Sequence, residues 1–427
     1  MKKLCFLILV SKIAINSGHA SVSNLDLYSF LNETSENAYL VKIRKHQAKS
    51  SYHVSKSQNS AYHPQVNLAF SLEGEKEPRV DLRSYYGPEV DINYNLLDFE
   101  RRYRSEFSEL SARFSEKEIK LTKNDLLYQL TSIIADYKLA LSLNQIDRKS
   151  TNSLVQNKKM VEKKLQAGDL SKVELKRATS RLLLSQAQFE TTKQTLLSLK
   201  SRIKDISSTT PPTKFHFPSF ENKVSTIIAE KDKAKSFSIS SNQLKRSEFQ
   251  IKLSELEVKQ FKSTRLPTLS FNFQHKQEWA IEDKFDDSYD TLIGLSFNFP
   301  LWTGRKEYHD VQASKARSLL AKAEHQRAKI QIENEIINLI EQIQIERDAY
   351  GKYKEASNTA QSVFKDRTFE FQQGAGHQDI VLDAQREYLD MEKAKLSSFY
   401  RKIKLELRLL WRTGRLQLED FKKKSSI

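Results

Sequence analysis

The chain has 427 residues, 29% of them charged, with a net charge of +16, ten glycines, eight prolines and one cysteine. The lone Cys5 excludes a disulfide framework and a cysteine metal site. Past residue 20 no run approaches the about 18 apolar residues of a spanning helix, and scarce glycine and proline favour long exposed helices.

The first twenty residues have the layout of a secretory signal. Met1-Lys2-Lys3 is a basic start, 4–10 is a short apolar run, and Ser17-Gly18-His19-Ala20 supplies small residues before a cleavage point. An export signal argues against nucleic acid as the partner of the basic chain. The basic residues are interleaved with Asp and Glu, as on solvated helix faces, and concentrate only at Lys422-Lys423-Lys424.

Residues 26–61 read as a helix. Pro64 then opens an alternating strand, 65–73, and a loop containing Gly74, Pro78, Gly87 and Pro88 leads to a second strand, 89–96. A helix is expected over 99–167. Leu126, Leu130, Ile133, Tyr137 and Leu141 recur on it at spacings of three and four, a narrow apolar seam on a charged rod. Gly168 ends it, Asp169 or Ser171 can cap the return, and a helix follows over 170–203 with Val173, Leu182, Phe189 and Leu196 as its seam.

After a linker at 207–218 containing Pro211-Pro212, the order repeats. The second copy has a helix over 220–262, strands over 268–276 and 291–299, a rod over 305–373 carrying Ile336, Ile340 and Ile343, and a return over 379–411. Pro64 and Pro267 are 203 residues apart, and Gly168 and Gly374 are 206 apart. The domain reading is therefore a signal at 1–20, a first repeat at 21–210, a second at 211–416 and a basic tail at 417–427, loose after Gly414. Each rod of nearly seventy residues spans roughly 100 Å.

Four alternating strands cannot close a barrel, and a bilayer tolerates no unpaired backbone. Single-chain outer-membrane barrels need at least about eight strands, so several copies would have to share one barrel. Val66, Leu68, Phe70, Val90, Ile92, Tyr94, Leu269, Phe271, Phe273, Leu295, Phe297 and Phe299 would face lipid. Gln65, Asn67, Asp91, Asn93, Ser270, Asn272, Ser296 and Asn298 would face a wet lumen. Tyr85, Tyr86, Trp279, Tyr289 and Trp302 lie at strand ends, where aromatic girdles form. The other reading of the strands is a half-buried soluble sheet. Catalytic signals are weak, since the histidines show no paired metal spacing and no nucleophile or phosphate-loop motif occurs.

The run Arg265-Leu266-Pro267-Thr268-Leu269-Ser270, the stretch 294–304 and the segment from Gly374 through Val381-Leu382-Asp383-Ala384 resemble TolC-type outer-membrane efflux proteins (outer membrane factors) of Gram-negative bacteria. That resemblance implies a mainly helical fold with a β-barrel part: a homotrimer with a twelve-stranded barrel, four transmembrane strands per chain, above a periplasmic α-barrel of helical hairpins. It implies a belt near 207–220 and the C-terminal tail. It also implies no enzyme activity, no cofactor, and passive conduction from an inner-membrane pump and periplasmic adaptor through the outer membrane, for efflux or type I secretion.

The turns at Gly168, Asp169 and Leu170 and at Gly374 would be the adaptor-contacting tips. The family's constricting aspartate pair falls on Asp383 and on Ile380, with Asp379 adjacent. Its lock arginine falls on Gly376 and the acidic partner on Glu174. For Asp379 and Asp383 the alternative is charge complementarity at a helix N-terminus. The alternative for the whole chain is a non-channel periplasmic coiled-coil scaffold or adaptor.

Overall fold

The computed structural model describes residues 26–75, 83–168, 170–207, 209, 211–212, 215, 217–230, 234–281, 287–373 and 378–422. The expected signal at 1–20, Asp169, and Gly374 and Gly376 lie outside them. In chain order come α1 (Leu27–Asn37), α2 (Tyr39–Ser60), β1 (Gln65–Glu75), β2 (Arg83–Leu97), α3 (Phe99–Gln166) and α4 (Lys172–Ser207). Then follow α5 (Glu221–Ala229), α6 (Ala234–Ser238), α7 (Asn242–Ser263), β3 (Thr268–Ala280), β4 (Ser288–Asn298), α8 (Lys306–Gln372), α9 (Gln378–Arg412) and a 3₁₀ turn (Leu418–Phe421).

The two rods begin differently. Asp98 caps α3 by accepting the Arg101 N–H at 3.0 Å, with Glu100 complementing the first turn. At α8 the chain enters through two left-handed residues, Gly304 and Arg305, the latter at φ 66°. Gly168 ends α3 at φ +83°, its N–H donating to the Leu165 carbonyl.

The expected opening helix is two. Ala38, at ψ 138°, breaks it and packs with Val41 and Leu126. The expected 220–262 helix is three pieces, α5, α6 and α7, with Ser240-Ser241 at the break before α7, where serine disfavours a continuous helix.

The main core is a belt at the middle of the rods. Leu130 and Ile134 of α3, Ile332, Ile336, Ile340 and Ile343 of α8, and Leu407 and Leu410 of α9 meet Leu27, Phe30 and Leu31 of α1 and Val224 and Ile227 of α5. The C-terminal segment joins it rather than hanging loose: Leu416 and Phe421 are buried, and the Phe421 ring meets Phe220 edge-on at 5.7 Å. Away from the belt the seams thin. Leu141, Leu182 and Phe189 are half-buried and Val173 is 64% exposed, because one helical hairpin supplies only one flank of each groove, while Leu196 packs against the belt.

The strands form one antiparallel sheet in the order β1-β2-β3-β4. The two hairpins join through β2 and β3, with Ile92 opposite Phe273 and Tyr94 opposite Phe271. β2 begins before the expected Glu89 and takes Gly87 and Pro88 into the strand. Gly87 is required there, since a Cβ would lie 1.7 Å from the Gln277 carbonyl oxygen. The register collects Leu68, Val90, Ile92, Phe271, Phe273, Leu295 and Phe297 on one face and Asn67, Asp91, Asn93, Asn272 and Ser296 on the other.

Among the described residues the helices cover neither face, and Leu68 is 76% exposed. A scaffold reading requires strands roofed in water, which these are not. No described helix is long and apolar enough to cross a membrane.

Tyr86, Trp279 and Tyr289 share the apolar face near the loop ends, with the Tyr86 and Trp279 rings 5.4 Å apart. Trp302 is exposed just beyond the other end of β4. Tyr85 departs from the expected girdle, because the pleat turns it to the polar face opposite Glu73. From Leu269 to Trp279 the strand runs about 34 Å, which a tilt of about 40° reduces to about 26 Å, the height of an outer-membrane apolar band.

Replacing Gly87 by Ala is expected to cut the yield of folded protein several-fold, because the backbones of β2 and β3 must part. Gly294→Ala, where the added carbon meets nothing nearer than 3.8 Å, is expected to leave it unchanged. Proteolysis of detergent extracts separates the two. In the belt, burial pushes the Glu406 carboxyl above its ordinary value, against the pull of Lys402 and of Arg347 at 3.2 Å. A raised carboxylate favours folding below its unfolded value of about 4.3 and loses that contribution as pH climbs to the folded value. The unfolding temperature of Glu406→Gln relative to the parent is therefore expected to rise with pH through that window and then level off.

Candidate functional site

The far ends of the two helical hairpins carry the residues singled out in the sequence. α4 starts just past the Gly168 turn, and its Arg177 and Arg181 stand one turn apart on one face. α9 starts at Gln378, with Asp379 in its first turn and Asp383 one turn on. The two pairs interlock. Arg177 reaches Asp379 at 3.3 Å, Arg181 reaches Asp383 at 3.1 Å and Asp379 at 3.9 Å, and Arg177 also contacts Glu174 at 3.4 Å. Asp379, in the first turn of α9, bridges to α4 at the helix N-terminus, and Asp383, a turn further on, bridges to α4 outside it.

The remaining candidates are placed as follows. Ile380 is exposed and takes no part in the ladder. Leu170 lines a cleft of about 270 Å³ between the hairpins, with Glu174, Arg177 and Asp379. Gly168 is exposed at the turn. Arg177 and Arg181 were not singled out in the sequence. The available signal was spacing, since each lies 202 residues before the aspartate it binds, close to the repeat offset.

Behind the tip, a polar zipper joins α3 to α9. Gln385 donates to Ser153 at 3.1 Å, Lys393 meets buried Asp147 at 2.6 Å, Lys404 meets Asp136 at 2.9 Å, and the Trp411 indole donates to Asp125 at 2.8 Å. The rows run antiparallel, so the zipper fixes one hairpin against the other from belt to tip. Of its members, Asp147 is the deeply buried charge, so its lysine matters most. The ladder at the tip is exposed, and each of its pairs contributes about 0–1 kcal/mol, weakened by salt. Such pairs hold a position and release it cheaply. Among the described residues no cluster of metal-ligating side chains occurs.

On the sheet, the polar face is also organised. Lys276 bridges Glu73 at 2.8 Å and Glu278 at 2.9 Å, and Asn272 donates to Ser296 at 2.9 Å.

Residues 236–409 match the family model described as outer membrane efflux protein. No curated protein matches the sequence. The fold is similar over most of its length to the CmeC outer membrane channel of Campylobacter jejuni, with 14% identity, a TM-score of 0.79, and 90% of this chain and 85% of that one covered. The outer membrane protein VceC of Vibrio cholerae aligns at 14% identity and a TM-score of 0.74, covering 90% and 95%. The MtrE outer membrane channel of Neisseria gonorrhoeae, in its open state, aligns at 11% and 0.75, covering 91% and 88%. The chain has the fold of TolC-type outer-membrane channels, and its second repeat carries the efflux-protein signature in sequence.

In unfolding measurements on Arg181→Ala, Asp383→Ala and the double variant, the coupling is expected at about 0.2–1 kcal/mol, shrinking as salt is raised. Ile380→Ala combined with Arg181→Ala is expected to show none.

Proposed function

We propose that this chain is the outer-membrane exit duct of a tripartite efflux assembly, working as a homotrimer. The carrying observation is the four-stranded sheet with two unpaired edges and an uncovered apolar face, set on rods of 68 and 67 residues. Open edges are not tolerated in lipid, and four strands fall short of the about eight that close a barrel. Three copies supply twelve strands, β4 of one chain pairing with β1 of the next. The apolar face then meets lipid and the polar face lines the lumen.

The rods hang into the periplasm and close side by side into an α-barrel. The exposed leucines of the helical hairpins, such as Leu183 and Leu184 on α4 and Leu319 and Leu320 on α8, become contacts between copies. Conduction is passive, with direction imposed by an inner-membrane pump through a periplasmic adaptor that meets the Gly168 and Gly374 turns. The same duct serves a type I secretion pump where the exported substrate is a polypeptide.

In this assembly Asp379 and Asp383 stand at the periplasmic entrance. A ring of carboxylates in a narrow pore favours cations. Here Arg177 and Arg181 neutralise that ring while tying α9 to α4, a holding role for which Gly376, at the position of the family's lock arginine, has no side chain. Opening the entrance breaks the ladder and uncovers the carboxylates together.

The test is reconstitution in planar bilayers. Heat-resistant trimers and single-channel currents are expected. Arg177→Ala with Arg181→Ala raises conductance and cation preference, and Asp379→Asn with Asp383→Asn lowers the cation preference. A strictly monomeric, detergent-independent protein overturns the proposal.

A further inference from the structure

The two repeats join the sheet through unlike corners. In the first, the arginines next to the strands are held inside the chain. Arg101 donates to the Ala61 carbonyl at 2.7 Å and lies over the Tyr62 ring, Arg102 pairs with Glu106 at 3.2 Å, and Arg104 pairs with Glu100 at 2.5 Å. In the second, residues 259–268 and 299–309 carry Lys259, Lys262, Arg265, Arg305 and Lys306 against a single acid, Glu307. All five cations are exposed, and none has an ion-pair partner among the described residues. Asp98 caps α3 in the first corner, whereas no side chain caps α8 in the second.

The register brings these cations to one end of the β3–β4 hairpin. Thr268 pairs with Asn298, so Arg265 enters the sheet where the chain leaves it towards Arg305. Below, α7 and α8 pack side by side, with Arg317 2.8 Å from Glu257. Arg305 is the one described non-glycine residue at positive φ, where glycine or asparagine strains the backbone less. Just past the uncovered apolar face of the sheet, Leu301 and Trp302 are 84% and 77% exposed. Unpaired cations beside an exposed leucine and tryptophan match a bilayer boundary. The apolar groups enter the acyl layer, and the charges stay at the depth of the phosphates.

Resting on the exit-duct reading, we propose that this corner binds an anionic phospholipid of the periplasmic leaflet. Lys262, Arg265, Arg305 and Lys306 hold its phosphate, and Leu301 and Trp302 meet its acyl chains. The apolar pair decides for lipid over a soluble anion or an acidic protein, because it prolongs the face that meets acyl chains. The rods leave the sheet on this side, which makes the leaflet the periplasmic one. The first corner provides no such site, since its cations are already satisfied by Glu100, Glu106 and the Ala61 carbonyl. Each chain therefore holds one lipid at the β3–β4 base, and these lipids fix the depth of the barrel's inner rim.

The test uses trimers of the full chain carrying Trp279→Phe, which leaves Trp302 as the tryptophan at the bilayer, since Trp411 packs at the belt. They are placed in vesicles of phosphatidylcholine and phosphatidylglycerol, with brominated chains on one lipid or the other. Quenching of Trp302 then reads the relative association of the two lipids. Phosphatidylglycerol is expected to associate at least about fivefold more strongly, the effect of one cation near an anionic lipid. K262Q, R265Q, R305N and K306Q together are expected to bring the ratio close to one. The same loss of charge at the far turn (K159Q, K163Q, K172Q, K176Q) is expected to leave it unchanged. Equal quenching in the parent chain overturns the proposal, as does a preference that the corner substitutions leave intact. Loss of the preference on adding inorganic phosphate, but not chloride at equal ionic strength, assigns the corner to a free anion and also overturns it. A chain that neither trimerises nor conducts sinks the duct reading, whereas a conducting trimer with equal quenching sinks this inference alone.

Discussion

The sheet ends at β1 and β4, and among the described residues neither edge has a partner strand. In water, unpaired edges invite aggregation, and in lipid each unsatisfied backbone group costs several kcal/mol. The described residues neither cover these edges nor close them. The apolar face beside them, with Leu68, Ile293, Leu295 and Phe297 all well exposed, has the same incompleteness. The proposed assembly relieves both, with further copies adding strands at the edges while the apolar face turns to lipid.

The helical part obeys the same logic. Its deep core is a belt around Ile134, Ile340 and Leu407, where α1, α5 and the C-terminal turn pack against the rods. Beyond the belt the rods are held by narrow contacts and by the polar zipper from Asp125–Trp411 to Ser153–Gln385. A rod of roughly 100 Å cannot bury a wide face in a two-helix hairpin, so apolar positions such as Leu183 and Leu319 stay uncovered within one chain. Stability falls from belt to tip, where exposed ion pairs replace packing.

Much of the architecture was legible in the residues. Strict alternation around Phe70, Ile92, Phe271 and Phe297 marked strands with one apolar face, and the offset from Pro64 to Pro267 marked the tandem copy. Errors fell where a local signal was overruled. Gly87 and Pro88 look like a loop, yet they lie in β2, where the missing Cβ lets Gln277 approach. Val173 has the spacing of a seam residue and stands exposed, since no described residue lies over that flank. Tyr85 and Tyr86 both look like girdle residues, but the pleat sends only one of them outward.

Periodicity and punctuation are local, and the chain alone carries them: two-residue alternation, turns of three and four, prolines before strands, glycine after a rod. Those were enough for hairpins, rods and repeat. Which hairpin face meets which is not local. The contacts of Arg177 with Asp379 and of Asp147 with Lys393 join residues 202 and 246 apart, and no short-range pattern distinguishes these charges from the many that only face water. Only the tertiary arrangement chose them, because an ion pair forms where two helix faces are brought within about 4 Å, and the packing of the whole belt sets that approach.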